Sequence, residues 1–178
     1  GWKINQTQEV EELFKNVMEN SQLGREPIYA QREVSTENNG IGNTYVEIDL
    51  TAQHLYYYQN GQVVVDSPFV SGKMTSDRWT PPGIFTLTYK EKDRILRGER
   101  RADGSYSYQS HVNFWMPFNG GIGLHDASWR GTFGGTIYKY SGSHGCINMP
   151  YEKAKAVYDI ITKDVPIVCF YTEPYELY

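Results

Sequence analysis

The sequence predicts a mainly β domain, with one short helix near its C-terminal end and a short helix-containing segment in front of it. Three observations predict this. Apolar residues recur at every second position over Val46, Ile48 and Leu50, which is the period of a half-buried strand. The dipeptide Asn60-Gly61 separates the β-rich runs His54-Leu55-Tyr56-Tyr57-Tyr58-Gln59 and Gln62-Val63-Val64-Val65-Asp66, and a tight hairpin turn needs the positive φ that Asn and Gly tolerate. Further β-rich runs at 67–71, 83–89, 107–118 and 122–125 are divided by glycine and proline, the punctuation of successive short strands.

At 178 residues the chain can build one sizeable core with a small appendage. Its 39% hydrophobic and 21% charged residues are those of a globular protein rather than a disordered one. No run approaches the ~20 apolar residues that span a bilayer, and Gly1-Trp2-Lys3-Ile4 shows no signal-peptide pattern. A net charge of -4 argues against a nucleic-acid partner, because phosphate backbones recruit basic surfaces. Two cysteines, Cys146 and Cys169, make no disulfide framework in a chain this long.

In chain order, Val10, Leu13, Phe14, Val17 and Met18 form the stripe of an amphipathic helix over 7–20, with Thr7 or Asn5 available as its cap and Gly24 and Pro27 ending it. Such a stripe needs a partner. The polar stretch 35–43 has the composition of a linker, so residues 1–43 are expected to be the remnant of an upstream domain and 44–178 the main domain. The mixed charges of 90–103 predict a solvated loop or strand edge. Pro150 suits the first turn of a helix whose stripe is Ala154, Val157, Tyr158 and Ile161, and Asp164-Val165-Pro166 stops it. Residues 165–171 read as a closing strand in which Cys169 is a small buried hydrophobe.

Chemistry concentrates in Ser143-His144-Gly145-Cys146-Ile147-Asn148. A thiol attacks only as its thiolate, so a nucleophilic Cys146 needs a base and is expected to have a lowered pKa. His54, His111, His125 and His144 are the candidates. His54 alternates within a hairpin strand, and His111 can form a pocket wall. His125 ends an apolar run and is followed by Asp126, near which a backbone carbonyl or carboxylate can fix its tautomer. His144 shares a face with Cys146 if the chain is extended there, and Gly145 allows a turn that parts them. Spacing alone leaves the base open. N–H groups around Gly145 and Cys146 can bind an oxyanion. Between His125 and the motif, glycines with Trp129, Tyr138 and Tyr140 suit a mobile wall for a peptide. A structural zinc site built from His111, His125, His144 and Cys146 is the competing reading, although only His144 and Cys146 are locally paired.

The pattern of His125 followed by Ser143-His144-Gly145-Cys146-Ile147-Asn148 resembles the signature of the L,D-transpeptidase (YkuD) catalytic domain. The stretches Asp49-Leu50-Thr51-Ala52-Gln53-His54-Leu55, Val70-Ser71-Gly72-Lys73 and Thr80-Pro81-Pro82-Gly83-Ile84-Phe85 resemble further elements of that family in the same order. The resemblance implies a β-sandwich-like fold and a cysteine enzyme of Gram-positive peptidoglycan cross-linking that needs neither cofactor nor metal. It implies Cys146 as nucleophile, His125 as base and Asp126 orienting His125 through its main-chain carbonyl. Ser143, His144, Gly145 and Asn148 would shape the site and oxyanion hole. Trp129, Tyr138, Tyr140 and His111 are expected to contact substrate. The implied partners are donor and acceptor tetrapeptide stems of peptidoglycan, with carbapenems as acylating inhibitors. A monomer at the outer side of a bacterial membrane, in the cell wall, is expected. Alternatives are an L,D-carboxypeptidase on the same substrate, a non-catalytic wall-binding module and the zinc-stabilised module.

Overall fold

The computed structural model describes residues 3–21, 24–32 and 35–178. The chain divides into two compact units, 1–43 and 44–178. In the first, strand β1 (Lys3–Ile4) pairs antiparallel with β2 (Tyr29–Gln31), and helix α1 (Gln6–Met18) lies between them in sequence. Asn5 caps α1 by accepting from the Gln8 N–H at 3.2 Å, which satisfies one of the first-turn donors that lack an intrahelical partner. The helix ends before Gly24, because Asn20 takes a left-handed φ of 49°. Glu9 accepts from both terminal nitrogens of Arg25 and from the Ile28 N–H, pinning the return chain to α1. Val10, Phe14, Val17 and Met18 all remain largely exposed. Among the described residues, no helix is long and apolar enough to cross a membrane.

The second unit is mainly β, with two sheets that are not closed into a barrel. Its strands are β3 (Tyr45–Asp49), β4 (His54–Gln59), β5 (Gln62–Pro68), β6 (Gly83–Thr86), β7 (Glu91–Arg97), β8 (Gln109–Asn119), β9 (Ile122–Asp126), β10 (Ile147–Met149) and β11 (Pro166–Phe170). Helix α2 (Ile137–Ser141) precedes β10, and α3 (Tyr151–Ile160) follows it. One sheet has the order β5-β4-β3-β11-β6 and the other β10-β9-β8-β7. The β4–β5 turn carries positive φ at both Asn60 (50°) and Gly61 (78°), as a turn matched to strand twist requires.

A single core joins the two sheets. Ile48, Leu55 and Ile167 of the first meet Met116, Leu124 and Ile147 of the second, and Ala154 and Val157 of α3 pack into the same cluster. Alternation explains which residues face in: along β4, Leu55 and Tyr57 are buried while their neighbours are half-buried. The charged stretch 90–103 contains an edge strand, β7, whose Arg94 pairs with Glu91 at 2.7 Å. Charge on an exposed edge discourages pairing with another chain.

Three features depart from the sequence reading. Two strand pairs are parallel, β10 with β9 and β11 with β3, where period-two patterns carry no sign of direction. The connection after His125, read as a mobile wall, contains helix α2. Strand β10 also stands between Cys146 and α3, with Pro150 as the residue before the helix, so the motif leads into a strand and not directly into a helix. Leu124→Ala, at a fully buried position beside His125, is expected to lower stability by about 2–5 kcal/mol, read as a shift of the urea unfolding midpoint.

Candidate active site

The parallel β9–β10 ladder places Asn148 opposite His125 and Met149 opposite Asp126. Residues two apart on an extended chain share a face, so Cys146, two positions before Asn148, is brought to the side of the sheet that carries the His125 ring. His125, Ser143, His144, Cys146 and Asn148 line one cavity together with Trp129 and Tyr108. Its accessible volume is about 60 Å³.

His125 is 3% exposed. Trp115 lies across the strand from it, and the indoles of Trp115 and Trp129 each stand 5.9 Å from the imidazole, centroid to centroid. Nδ1 is 2.8 Å from the main-chain carbonyl oxygen of Asp126. A carbonyl can only accept, so Nδ1 carries the proton and Nε2 presents a lone pair. Asp126 is itself anchored: its carboxylate accepts from the Asn113 N–H, the Asn113 amide and the Phe114 N–H. Burial pushes the His125 pKa below its ordinary 6.5, opposed by the Asp126 carbonyl and carboxylate and aided by the charge of Arg130. The imidazole is therefore neutral near pH 7.

Cys146 is half-buried, and its thiol lies 3.5 Å from the Gly121 carbonyl oxygen, to which it donates. Sequence reasoning expects a lowered thiol pKa here. The structure gives the reverse: desolvation pushes it up to about 11, against a smaller lowering by the Gly123 N–H. The cause is a water-poor wall with no cation to stabilise a thiolate, since the nearby imidazole is itself held neutral. The turn before Cys146 is tightly held. Ser143 Oγ accepts from the Gly145 N–H at 3.1 Å and donates to the Cys146 carbonyl at 2.6 Å. Gly145 has φ of 108°, a conformation that L side chains rarely adopt.

The remaining predicted residues divide. His144 is exposed and stacks on Tyr108 at 4.7 Å between ring centroids, and burial lowers its pKa. Trp129 lines the cavity. His111 does not: its neighbour Ser110 faces the cavity, so alternation turns His111 away, toward Asp93 at 3.6 Å. Tyr138 is buried with Val70 and Met74 in a second small cluster, and Tyr140 is 69% exposed. Neither lines the cysteine cavity, because α2 turns Tyr138 into the protein and Tyr140 out of it. Among the described residues no three His, Cys, Asp or Glu side chains are gathered so as to hold a metal ion.

Sequence reasoning missed Tyr108, which follows a run of mixed charge and is marked by no periodicity. It also passed over Thr80 as a site residue, although the Thr80-Pro81-Pro82-Gly83 stretch is conspicuous. Thr80 is fully buried and donates to the Gly145 carbonyl at 2.7 Å.

Two outcomes are expected. Iodoacetamide should alkylate Cys146 at least about tenfold faster than Cys169, which is 2% exposed with its thiol pushed up to about 12. The Cys146 rate should rise about tenfold per pH unit between pH 7 and 10, followed by intact mass; a plateau near pH 7 would contradict a neutral thiol. Stability should also fall on acidification. His125 has its folded pKa below 6.5, so below that pH the unfolded chain takes up a proton that the folded one refuses. Urea midpoints at pH 7 and pH 5 should show this loss, and His125→Gln should flatten it.

Comparison with known proteins agrees with this geometry. The family model of the YkuD L,D-transpeptidase catalytic domain matches residues 43–169. The crystal structure of an Enterococcus faecium L,D-transpeptidase, in a cysteine-to-serine mutant, is 36% identical with a TM-score of 0.75, over 95% of this chain and 66% of that one. The catalytic domain of E. faecium L,D-transpeptidase acylated by ertapenem is 41% identical with a TM-score of 0.62, over 72% of this chain and 98% of that one. An L,D-transpeptidase from Mycobacterium smegmatis is 27% identical with a TM-score of 0.60, over 72% of this chain and 58% of that one. No curated protein sequence matches. The chain spans slightly under two thirds of the longer E. faecium protein and most of its catalytic domain alone. From the matched residues and these relatives, the chain belongs to the YkuD family of L,D-transpeptidase catalytic domains.

Proposed function

We propose that this chain carries out L,D-transpeptidation of peptidoglycan with Cys146 as nucleophile and His125 as base. The observation that carries the reading is one cavity lined by both side chains, in which the Asp126 carbonyl accepts a hydrogen bond from Nδ1–H and so leaves Nε2 as an acceptor. The ertapenem-acylated relative supports it.

The donor is the tetrapeptide stem, attacked at the carbonyl before its terminal D-alanine. Forming a thiolate first at pH 7 would cost on the order of 5 kcal/mol for a thiol pushed up to about 11. Proton transfer from Sγ to Nε2 therefore accompanies attack on the carbonyl carbon. The tetrahedral oxyanion collapses, the carbon–nitrogen bond breaks, and the imidazolium returns its proton to the departing D-alanine amine. A thioester remains on Cys146. The side-chain amine at the third residue of an acceptor stem then attacks, His125 takes its proton and returns it to the departing Sγ, and the thiol is released as the new amide forms. Ser143, Gly145 and Asn148 shape this site, and His144 stacked on Tyr108 forms part of its wall. Trp129 is the aromatic contact to substrate that the cavity supports. A carbapenem enters the same path when Cys146 opens the β-lactam ring.

A substrate of this kind supports a location in the cell wall, on the outer side of a bacterial membrane. Residues 1–43 are read as the last part of an upstream domain, supported by the apolar stripe of α1 that stays exposed. Intact mass after a carbapenem should show one adduct on the wild type and none on Cys146→Ala. With a tetrapeptide donor and acceptor, the wild type should form a cross-linked dimer. Cys146→Ala should lower the rate at least about 10³-fold and His125→Gln about 10²–10⁴-fold. Tripeptide without dimer would identify a carboxypeptidase instead, and activity unchanged in Cys146→Ala would sink the enzymatic reading.

A further inference from the structure

We infer that Thr80 is a positioning residue that aims the Cys146 main-chain N–H into the cavity as an oxyanion donor. The inference rests on the acyl-transfer reading above. The Thr80 hydroxyl is fully buried and lies between two main chains: it accepts from the Gly72 N–H at 3.0 Å and donates to the Gly145 carbonyl at 2.7 Å. The peptide joining Gly145 to Cys146 is planar and trans, so its C=O and N–H point in opposite directions. Thr80 is absent from the lining of the cysteine cavity. Drawing the carbonyl toward Thr80 turns the N–H of Cys146 away from it, toward the cavity side.

The hydrogen bonds around this peptide agree. Of the four main-chain polar groups of Gly145 and Cys146, three are engaged: the Gly145 N–H on Ser143 Oγ, the Gly145 carbonyl on Thr80, and the Cys146 carbonyl on Ser143 Oγ. Among the described hydrogen bonds, the Cys146 N–H is the group left over. A main-chain donor without a partner in the fold is open to an acceptor that enters the cavity, and an oxyanion is such an acceptor.

The close approach that makes this possible depends on Gly72. A Cβ there would stand 2.0 Å from the Arg78 carbonyl oxygen and 2.9 Å from both Gly145 Cα and Thr80 N. Three main-chain segments meet at that point. The Thr80 segment is held from its far side as well, by the Tyr171 hydroxyl donating to the Thr80 carbonyl at 3.3 Å.

The test compares two reactions of the same thiol in wild type, Thr80→Val and Thr80→Ser. Carbapenem acylation passes through an oxyanion, and iodoacetamide alkylation does not. Thr80→Val should slow acylation about 10–100-fold while alkylation stays within about twofold. Thr80→Ser, which keeps the hydroxyl, should stay within about threefold of wild type in both. Acylation by Thr80→Val at the wild-type rate, or parallel slowing of both reactions, overturns the inference. A second measurement needs no variant: in ¹⁵N-labelled wild type the Cys146 amide proton should exchange freely with solvent. Slow exchange in the free protein, the mark of an N–H already bonded within the fold, overturns it too. A wild type that takes up no carbapenem refutes the acyl-transfer reading, while the amide measurement still decides where the N–H points.

Discussion

The site depends on three residues of parallel pairing, Ile147–Met149 against Leu124–Asp126. Antiparallel neighbours can be joined by a two-residue turn, but parallel neighbours need a crossover long enough to return the chain to the same end of the sheet. Residues 127–146 are that crossover. It explains why a glycine-rich stretch with a short helix separates His125 from Cys146. Because the two strands run the same way and end level, at Asp126 and Met149, His125 and Asn148 stand side by side. His125 is thus held in the ladder itself and Cys146 sits at the entry to its partner strand, with Leu124, Ile147 and Met149 beneath, all fully buried. Loop conformation alone would not give that precision.

Around this ladder the electrostatics are those of a neutral pair rather than an ion pair. Desolvation raises the thiol and lowers the imidazole, and both effects favour the uncharged forms. What the fold holds fixed here is polar but uncharged: the Nε2 lone pair set by the Asp126 carbonyl, and the turn that Ser143 holds.

The opposite arrangement governs the first unit. There α1 is capped and tied to its return chain by Glu9 and Arg25, yet its apolar side chains stay in solvent. Local hydrogen bonds and one ion pair define that helix, whereas burial defines the second unit. A helix whose stripe is uncovered contributes little stability of its own.

Much of the second unit was legible in the sequence, because period-two burial and the Asn60-Gly61 turn are local properties of the chain. The same holds for Cys146, His125 and Asp126, whose neighbourhood follows from a compact motif and a strand end. Strand direction was not legible, since alternation looks the same read either way. Nor was the state of the thiol: a cysteine beside a histidine reads as activated, and only packing reveals that water is excluded without a charge to replace it. Tyr138 and His111 were misplaced for a related reason, as the facing of an aromatic residue depends on the turn of a short helix or on strand parity. Sequence by itself determined the strands, the hairpin and the compact motif around Cys146. Tertiary structure alone decided which of them meet, because the Gly72, Thr80 and Gly145 contacts join main chains far apart in sequence, and no local pattern encodes a close approach between backbones.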